Sequence, residues 1–289
     1  MRYVIAVGGN ALKSGKALNK LSASIVRLFA RGNEIVITHG NGPQVGRLAL
    51  HEKKSLAALT KETQKEIGKE IKRSISAVDR KAGAGAKIMI THVIVNKDDA
   101  EFVNPTKPIG DFYNRKEAER LARKGFVMKR LLKGYRRVVP SPRPVRIVEL
   151  SEIERVISSG RIAIAAGGGG IAVTRSGSGP RYADAVIDKD LASALLAIGV
   201  HADRLFILTN VDGVYTGFRT KHARLIARVK ASQLNRHALL EHFESGSMMP
   251  KVRACISFVR KTGKYAVIGN LEKPEGVFRL RGSTVVTPG

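Results

Sequence analysis

The strongest constraint on this chain is a rhythm along it: short apolar runs rich in Val and Ile alternate with longer stretches whose apolar residues recur at helical spacing. The runs fall at residues 3–7, 34–38, 87–95, 161–165, 204–208 and 264–268, with amphipathic segments at 21–30, 61–81, 151–159 and 190–196. Strands that are apolar at every position are covered on both faces, and parallel neighbours need a helical crossover. The rhythm therefore predicts an α/β protein around a mainly parallel, buried sheet. With 289 residues, 43% of them hydrophobic, the chain can bury a full core.

Two stretches depart from the rhythm. Residues 98–145 are rich in Lys, Arg and Pro (Pro105, Pro108, Pro140, Pro142, Pro144) and read as an inserted lid or arm. Residues 175–181, Arg-Ser-Gly-Ser-Gly-Pro-Arg, read as a turn linking two antiparallel strands. No apolar run approaches the roughly 20 residues that span a bilayer. The chain opens on the strand-like Tyr3-Val4-Ile5-Ala6-Val7 with no signal-peptide pattern before it, so a soluble, cytoplasmic protein with no membrane partner is expected. The lone cysteine, Cys255, cannot form an internal disulfide and reads as a small core residue.

Charge sets the class of partner. There are 51 Lys and Arg against 24 Asp and Glu, a formal net charge of +27, which attracts nucleotide, phosphate, nucleic acid or a membrane surface. The cations are scattered and aromatics are only 5%, so no stacking platform for bases is apparent.

Three expected strands end in glycine-rich turns, where open α/β sheets bind ligands. These are Gly8-Gly9-Asn10, Gly40-Asn41-Gly42-Pro43 and Gly167-Gly168-Gly169-Gly170. Backbone N–H groups approach an anion closely where no Cβ intervenes. The second turn, followed by Pro43, fits an anion nest at a helix start. Four successive glycines weaken a fold unless something approaches the backbone closely, so the third turn is read as functional. His39 fits a hydrogen-bonded structural imidazole better than an acid or base. Further on, Ile187-Asp188-Lys189-Asp190 puts charges at a helix start, where an Asp caps the helix or accepts from a lysine. Neither a Walker-A motif nor a dinucleotide fingerprint occurs. No cluster of His, Cys and carboxylates at ligand spacing argues for a structural metal.

In their order and spacing these motifs resemble the carbamate kinases of the amino-acid kinase family. The matching segments are GGNAL (8–12), ITHGNGPQVG (37–46), NPTKPIG (104–110), RRVVPSPRP (136–144), GGGGIAV (167–173), AVIDKDLA (185–192), LTNVDGVY (208–215), GSMMPKV (246–252) and RGST (281–284), spanning essentially the whole chain. The resemblance implies a three-layer α/β/α sandwich with an open sheet, forming one domain over 1–289 with a protruding lid subdomain at 98–145. It implies a homodimer that moves a phosphoryl group reversibly between ATP and carbamate, giving ADP and carbamoyl phosphate, with Mg2+. Carried over by motif, Gly9, Asn10, Gly40, Asn41 and Gly42 hold the phosphoryl group and acceptor, and Lys107 reaches in from the lid. Lys189 and Lys251 neutralise the nucleotide phosphates, Asp190 organises the lysines and Gly168 and Gly169 back the phosphates. Asn210, Val211, Tyr215 and Met248 surround the adenosine.

The chain departs from that family at residues 58–69, where only Ile67-Gly68 matches, and at 129–134, where Lys129-Arg130 and Lys133 turn an acidic lid element basic. Added cations favour a more anionic acceptor than carbamate. Two other readings stay open: a kinase of this fold for another small carboxylate, phosphate or phosphonate, and a catalytically idle protein that binds nucleic acid or a regulatory partner.

Overall fold

The apolar runs become strands because alternate side chains can be buried on opposite faces. The computed structural model describes residues 1–8, 15–176, 179–218, 220–234 and 248–289. The chain begins β1 (Arg2–Val7), α1 (Gly15–Ala30), β2 (Glu34–His39), α2 (Gly42–His51), α3 (Leu56–Val78), α4 (Arg80–Gly85), β3 (Lys87–Ile88) and β4 (His92–Val95). It continues β5 (Lys107–Tyr113), α5 (Arg115–Arg123), β6 (Met128–Leu131), β7 (Gly134–Val139), β8 (Pro144–Ile147), α6 (Leu150–Ser158), β9 (Ala163–Ile164), β10 (Ile171–Ser176) and β11 (Gly179–Val186). It ends α7 (Lys189–Gly199), β12 (Arg204–Thr209), β13 (Tyr215–Thr216), β14 (Arg224–Leu225), β15 (Arg228–Lys230), α8 (Met248–Thr262), β16 (Tyr265–Asn270), α9 (Pro274–Phe278) and β17 (Ser283–Thr287).

Eight strands form one sheet in the order β15-β17-β16-β12-β1-β2-β9-β3. Every neighbouring pair is parallel except β16 with β17. Tyr3, Ile5 and Val7 pack on one face with Leu18, Leu21 and Ile25 of α1 and with Ile67, Ile71 and Ile75 of α3. Val4 and Ala6 pack on the other with Ile153 of α6, Leu196 of α7 and Phe258 of α8. The fold is thus a three-layer α/β/α sandwich. Each large apolar side chain buried in it contributes roughly 1.5–3 kcal/mol relative to exposure.

Besides the two-stranded β13-β14, two smaller sheets flank this frame. One has the order β11-β10-β4-β8, and the other, β5-β7-β6, is antiparallel throughout and packs against α5, which joins β5 to β6. The latter lies within residues 98–145 and seats Ile109 and Val139 on Val45 and Ala49 of α2. The seat is close enough to require glycine. A Cβ on Gly46 would overlap the backbone of Gly110, itself at φ +71°.

The structure corrects two expected elements. Residues 87–95 are one apolar run but two strands: β3 edges the large sheet, whereas β4 pairs with β10 and β8. The chain changes partners at Thr91, whose N–H and C=O both bond the Gln64 side-chain amide, at 2.9 and 3.2 Å. Residues 61–81 do not form one helix. α3 starts earlier, capped by Ser55, and stops at extended Asp79, whose carboxylate caps α4 by accepting from Ala82 N at 2.8 Å. The expected turn at 175–181 joins β10 and β11, which pair antiparallel up to Ser176 and Gly179, with 177 and 178 outside the described residues. β17 was not read from the sequence, its apolar run being short.

Gly46→Ala should destabilise the protein by about 1–3 kcal/mol, as overpacking does. Denaturant unfolding checks this, and an unchanged midpoint would mean that α2 and β5 separate freely.

Candidate active site

Because β12, β1 and β2 are parallel and in register, they end together, with Val7 beside Leu208 on one side and His39 on the other. The loops beyond them leave from one edge. Gly8 N donates to Leu208 O at 3.2 Å, Gly40 N to Val7 O at 3.0 Å and Ala165 N to Ile37 O at 2.9 Å. Gly9 and Asn10 of the first turn lie outside the described residues.

The other two turns pack on each other. A Cβ at Gly168 would overlap the Asn41 side-chain amide, one at Gly167 the His39 ring, and one at Gly169 would stand 2.5 Å from Ile187 O. Gly168, Gly169 and Gly170 all have positive φ, between 63° and 90°. The close approach expected at the third turn is therefore made by the protein's own groups. Gly169 N is committed to Ala166 O and Gly170 N to Gly167 O, each at 3.0 Å. Asn41 is buried and donates to Thr63 Oγ1 at 3.0 Å. Thr91 Oγ1 accepts from Ala166 N at 2.9 Å. Thr63, Gln64 and Thr91 thus brace the turns, yet no motif in the sequence marks them.

His39 is fully buried, and burial lowers its pKa to about 4, assisted by the Lys189 ammonium and partly offset by Gly40 O. Its Nδ1–H donates to that carbonyl at 3.3 Å. At neutral pH the ring is uncharged, in keeping with a structural imidazole.

The charges of the Asp188-Lys189-Asp190 segment converge with two distant lysines. Asp188 caps α7, accepting from Asp190 N at 2.9 Å and Leu191 N at 3.3 Å. Its other oxygen pairs with Lys107 Nζ, brought from β5. Asp190 Oδ1 receives Lys189 Nζ at 2.6 Å and Oδ2 receives Lys251 Nζ from α8 at 3.1 Å. Burial alone would raise the Asp190 carboxyl, yet the two ammonium groups hold it far below the usual carboxylate range. Burial lowers the Lys189 pKa, with Asp190 opposing and Lys251 assisting. The start of α7 is also tied to the sheet: Ser193 Oγ donates to Lys189 O and accepts from Thr38 Oγ1, both at 2.6 Å. Lys189, Asp190 and Lys251 thus form one ion cluster, and Lys107 reaches the same helix start through Asp188.

Asn210 and Val211 follow β12, and Tyr215 begins β13. The hydrogen bonds of their loop run elsewhere: Asp212 to Asn270 and Lys273, and Val214 N to Thr284 Oγ1 at 2.8 Å. Met248 starts α8, three residues before Lys251, and packs on the core. Lys129, in the stretch that departs from the family, donates to Asn104 within the same arm. Cys255 is buried, which pushes its thiol pKa up, in line with a core residue.

The family model described as the amino acid kinase family matches residues 1–270. A carbamate kinase of Pyrococcus horikoshii is 41% identical over 311 aligned positions, covering 99% of each chain. One of Thermoplasma volcanium is 39% identical over 304 positions and covers all of both. The solved structure of carbamate kinase from Giardia lamblia bound to AMP-PNP is 32% identical and covers 100% of this chain and 98% of that one, with a TM-score of 0.85. The chain belongs to the amino acid kinase family.

Asp190→Asn should cost about 3–5 kcal/mol at pH 7, because it removes the charge of the carboxylate that two buried ammonium groups share. The native carboxylate's contribution is fully present above the unfolded carboxyl value, roughly 4, and fades as pH falls towards the lower folded value. The gap between variant and parent should therefore narrow below about pH 4, a trend that denaturant midpoints would register. A constant gap from pH 7 to pH 3 would contradict it.

Proposed function

We propose that this chain is a carbamate kinase, transferring a phosphoryl group reversibly between ATP and carbamate to give ADP and carbamoyl phosphate. The observation that carries the reading is the buried Lys189–Asp190–Lys251 cluster with Lys107 alongside. Phosphoryl transfer needs positioned positive charge and little covalent help. Lysines far apart in sequence and gathered around carboxylates answer that need. The kinship with carbamate kinases over the full chain supports carbamate as the acceptor.

A carbamate oxygen attacks the γ-phosphorus, and the bond from that phosphorus to the β–γ bridging oxygen breaks as ADP leaves. The acceptor is already an anion, so no proton must be removed, and a neutral, hydrogen-bonded His39 fits a site without a general base. Lys189 and Lys251 neutralise the nucleotide phosphates, and Asp190 fixes both ammonium groups. Gly9, Asn10, Gly40, Asn41 and Gly42 hold the transferred group and acceptor. Gly168 and Gly169 back the phosphates, Gly168 through its amide, the Gly169 amide being committed to Ala166 O. Asn210, Val211, Tyr215 and Met248 surround the adenosine. Residues 98–145 act as the lid that carries Lys107.

Magnesium bound with the nucleotide would supply positive charge to its phosphates. Among the described residues no group of three or more His, Cys, Asp and Glu side chains is placed to hold a metal. The protein works as a homodimer in the cytoplasm. No helix of the described residues is long and apolar enough to cross a membrane.

A second reading, nucleic-acid binding alongside catalysis, draws on one surface feature. Lys69, Lys72, Arg73, Ser76, Ala77 and Arg80 line an open concavity of about 530 Å³ on α3 and α4. Lys69, Arg73 and Arg80 form no salt bridge among the described residues.

Purified protein given ADP, Mg2+ and carbamoyl phosphate should form ATP; turnover of another acceptor instead would retire carbamate. Lys107→Ala should lower turnover about 100-fold, the usual scale for losing a transition-state charge contact, and an unchanged rate would remove Lys107 from the reaction. Binding to random DNA should weaken steeply with salt and weaken further in Lys69→Glu/Arg73→Glu with ATP formation intact. No binding at low salt would end the second reading.

A further inference from the structure

Asp188 serves two partners with two oxygens. Oδ1 accepts from the amides of Asp190 and Leu191 and caps α7. Oδ2 pairs with the ammonium of Lys107, 81 residues away in sequence. Capping needs an acceptor and no charge, since Asn caps helices as well as Asp. The negative charge of Asp188 adds only a modest interaction with the α7 dipole to the cap, and its ion-pair partner among the described residues is Lys107.

The position of that charge matters. Lys107 arrives on β5, within the three-stranded sheet, whereas Lys189 and Asp190 stand in the first turn of the helix that Asp188 caps. Asp190 already receives both Lys189 and Lys251. Without the Asp188 carboxylate, Lys107 would have no ion pair among the described residues, while Lys189 and Lys251 would keep Asp190. Lys107 would be the one displaced, because its side chain is 25% exposed against 11% for Lys189 and 10% for Lys251. Other contacts would keep its sheet docked, among them Arg137 Nη1 to Ala49 O and Val186 N to Pro140 O, both at 2.9 Å.

We propose that Asp188 is a positioning residue for phosphoryl transfer: its carboxylate anchors the Lys107 ammonium at the start of α7, beside the Lys189–Asp190–Lys251 cluster. An ammonium has three N–H donors, so one given to Asp188 leaves two for phosphoryl oxygens. The anchor thus places the charge without consuming it. This rests on the kinase reading for its role in transfer, while the anchoring itself is independent of that reading.

Asp188→Asn separates the two duties, because it keeps the cap and removes the charge. It should lower kcat about tenfold with little change in KM, the pattern of an interaction made mainly in the transition state, and leave the thermal midpoint near that of the parent. Asp188→Ala, which loses the cap as well, should lower the midpoint. In a Lys107→Ala background, Asp188→Asn should have no further effect on kcat. A full tenfold loss in that background, or an unchanged kcat in the single variant, would overturn the proposal.

An activity-independent arm uses an amine-reactive ester with peptide mass spectrometry. Lys107 should label several-fold faster in Asp188→Asn, with Lys189 and Lys251 unchanged. Equal labelling in parent and variant would refute the anchoring. If the parent formed no ATP from ADP and carbamoyl phosphate, and turned over no other acceptor, the kinase reading and the role in transfer would fall together. The labelling would still decide whether Asp188 holds Lys107.

Discussion

One ionised carboxylate held between two buried ammonium groups organises this molecule's functional edge. Taking three charges out of water is costly, and a buried ion cluster is often no more stabilising than apolar side chains of the same volume. Asp190 with Lys189 and Lys251 is therefore better understood as a device for holding positive charge in place than as a source of stability. Holding it requires two helices to start at fixed points. α7 is fastened by its Asp188 cap and by the Thr38–Ser193–Lys189 hydrogen-bond chain, and α8 by packing of Val252, Cys255 and Phe258 in the core.

The glycine turns serve the same edge sterically. Gly167, Gly168 and Gly169 let the third turn close onto His39, Asn41 and Ile187, and the positive φ of Gly168 and Gly169 suits residues without a Cβ. A glycine run near an anion site thus has two explanations, approach of ligand and approach of neighbouring chain, and here the second is visible in the contacts. Under the proposed function both apply, because a turn packed this tightly presents any remaining amide in a fixed direction.

The antiparallel sheet that carries Lys107 is joined to the frame by an apolar seat on α2, by the Gly46–Gly110 approach and by the ion pair to Asp188. Apolar packing and a glycine contact determine how closely it can sit, and the ion pair determines where its lysine points. Most of the chain's excess positive charge lies elsewhere, on surfaces such as the basic face of α3, so net charge by itself says little about the chemistry of the edge.

What the sequence determined on its own was local. The apolar runs at 3–7, 34–38 and 204–208 became strands because period-two burial on both faces leaves them no other use, and Asp188 became a cap because its acceptor lies within reach of amides two and three residues on. The same locality limits such reading. Nothing within residues 87–95 reveals that the run divides between two sheets, since the residue that holds the chain where it divides is Gln64 of α3. Nothing near Asn41 announces Thr63, and nothing near Lys107 announces Asp188. Only the tertiary structure decided which charges meet, because a lysine's partner depends on strand order and helix placement. Those are set by the burial of the whole core rather than by any one segment.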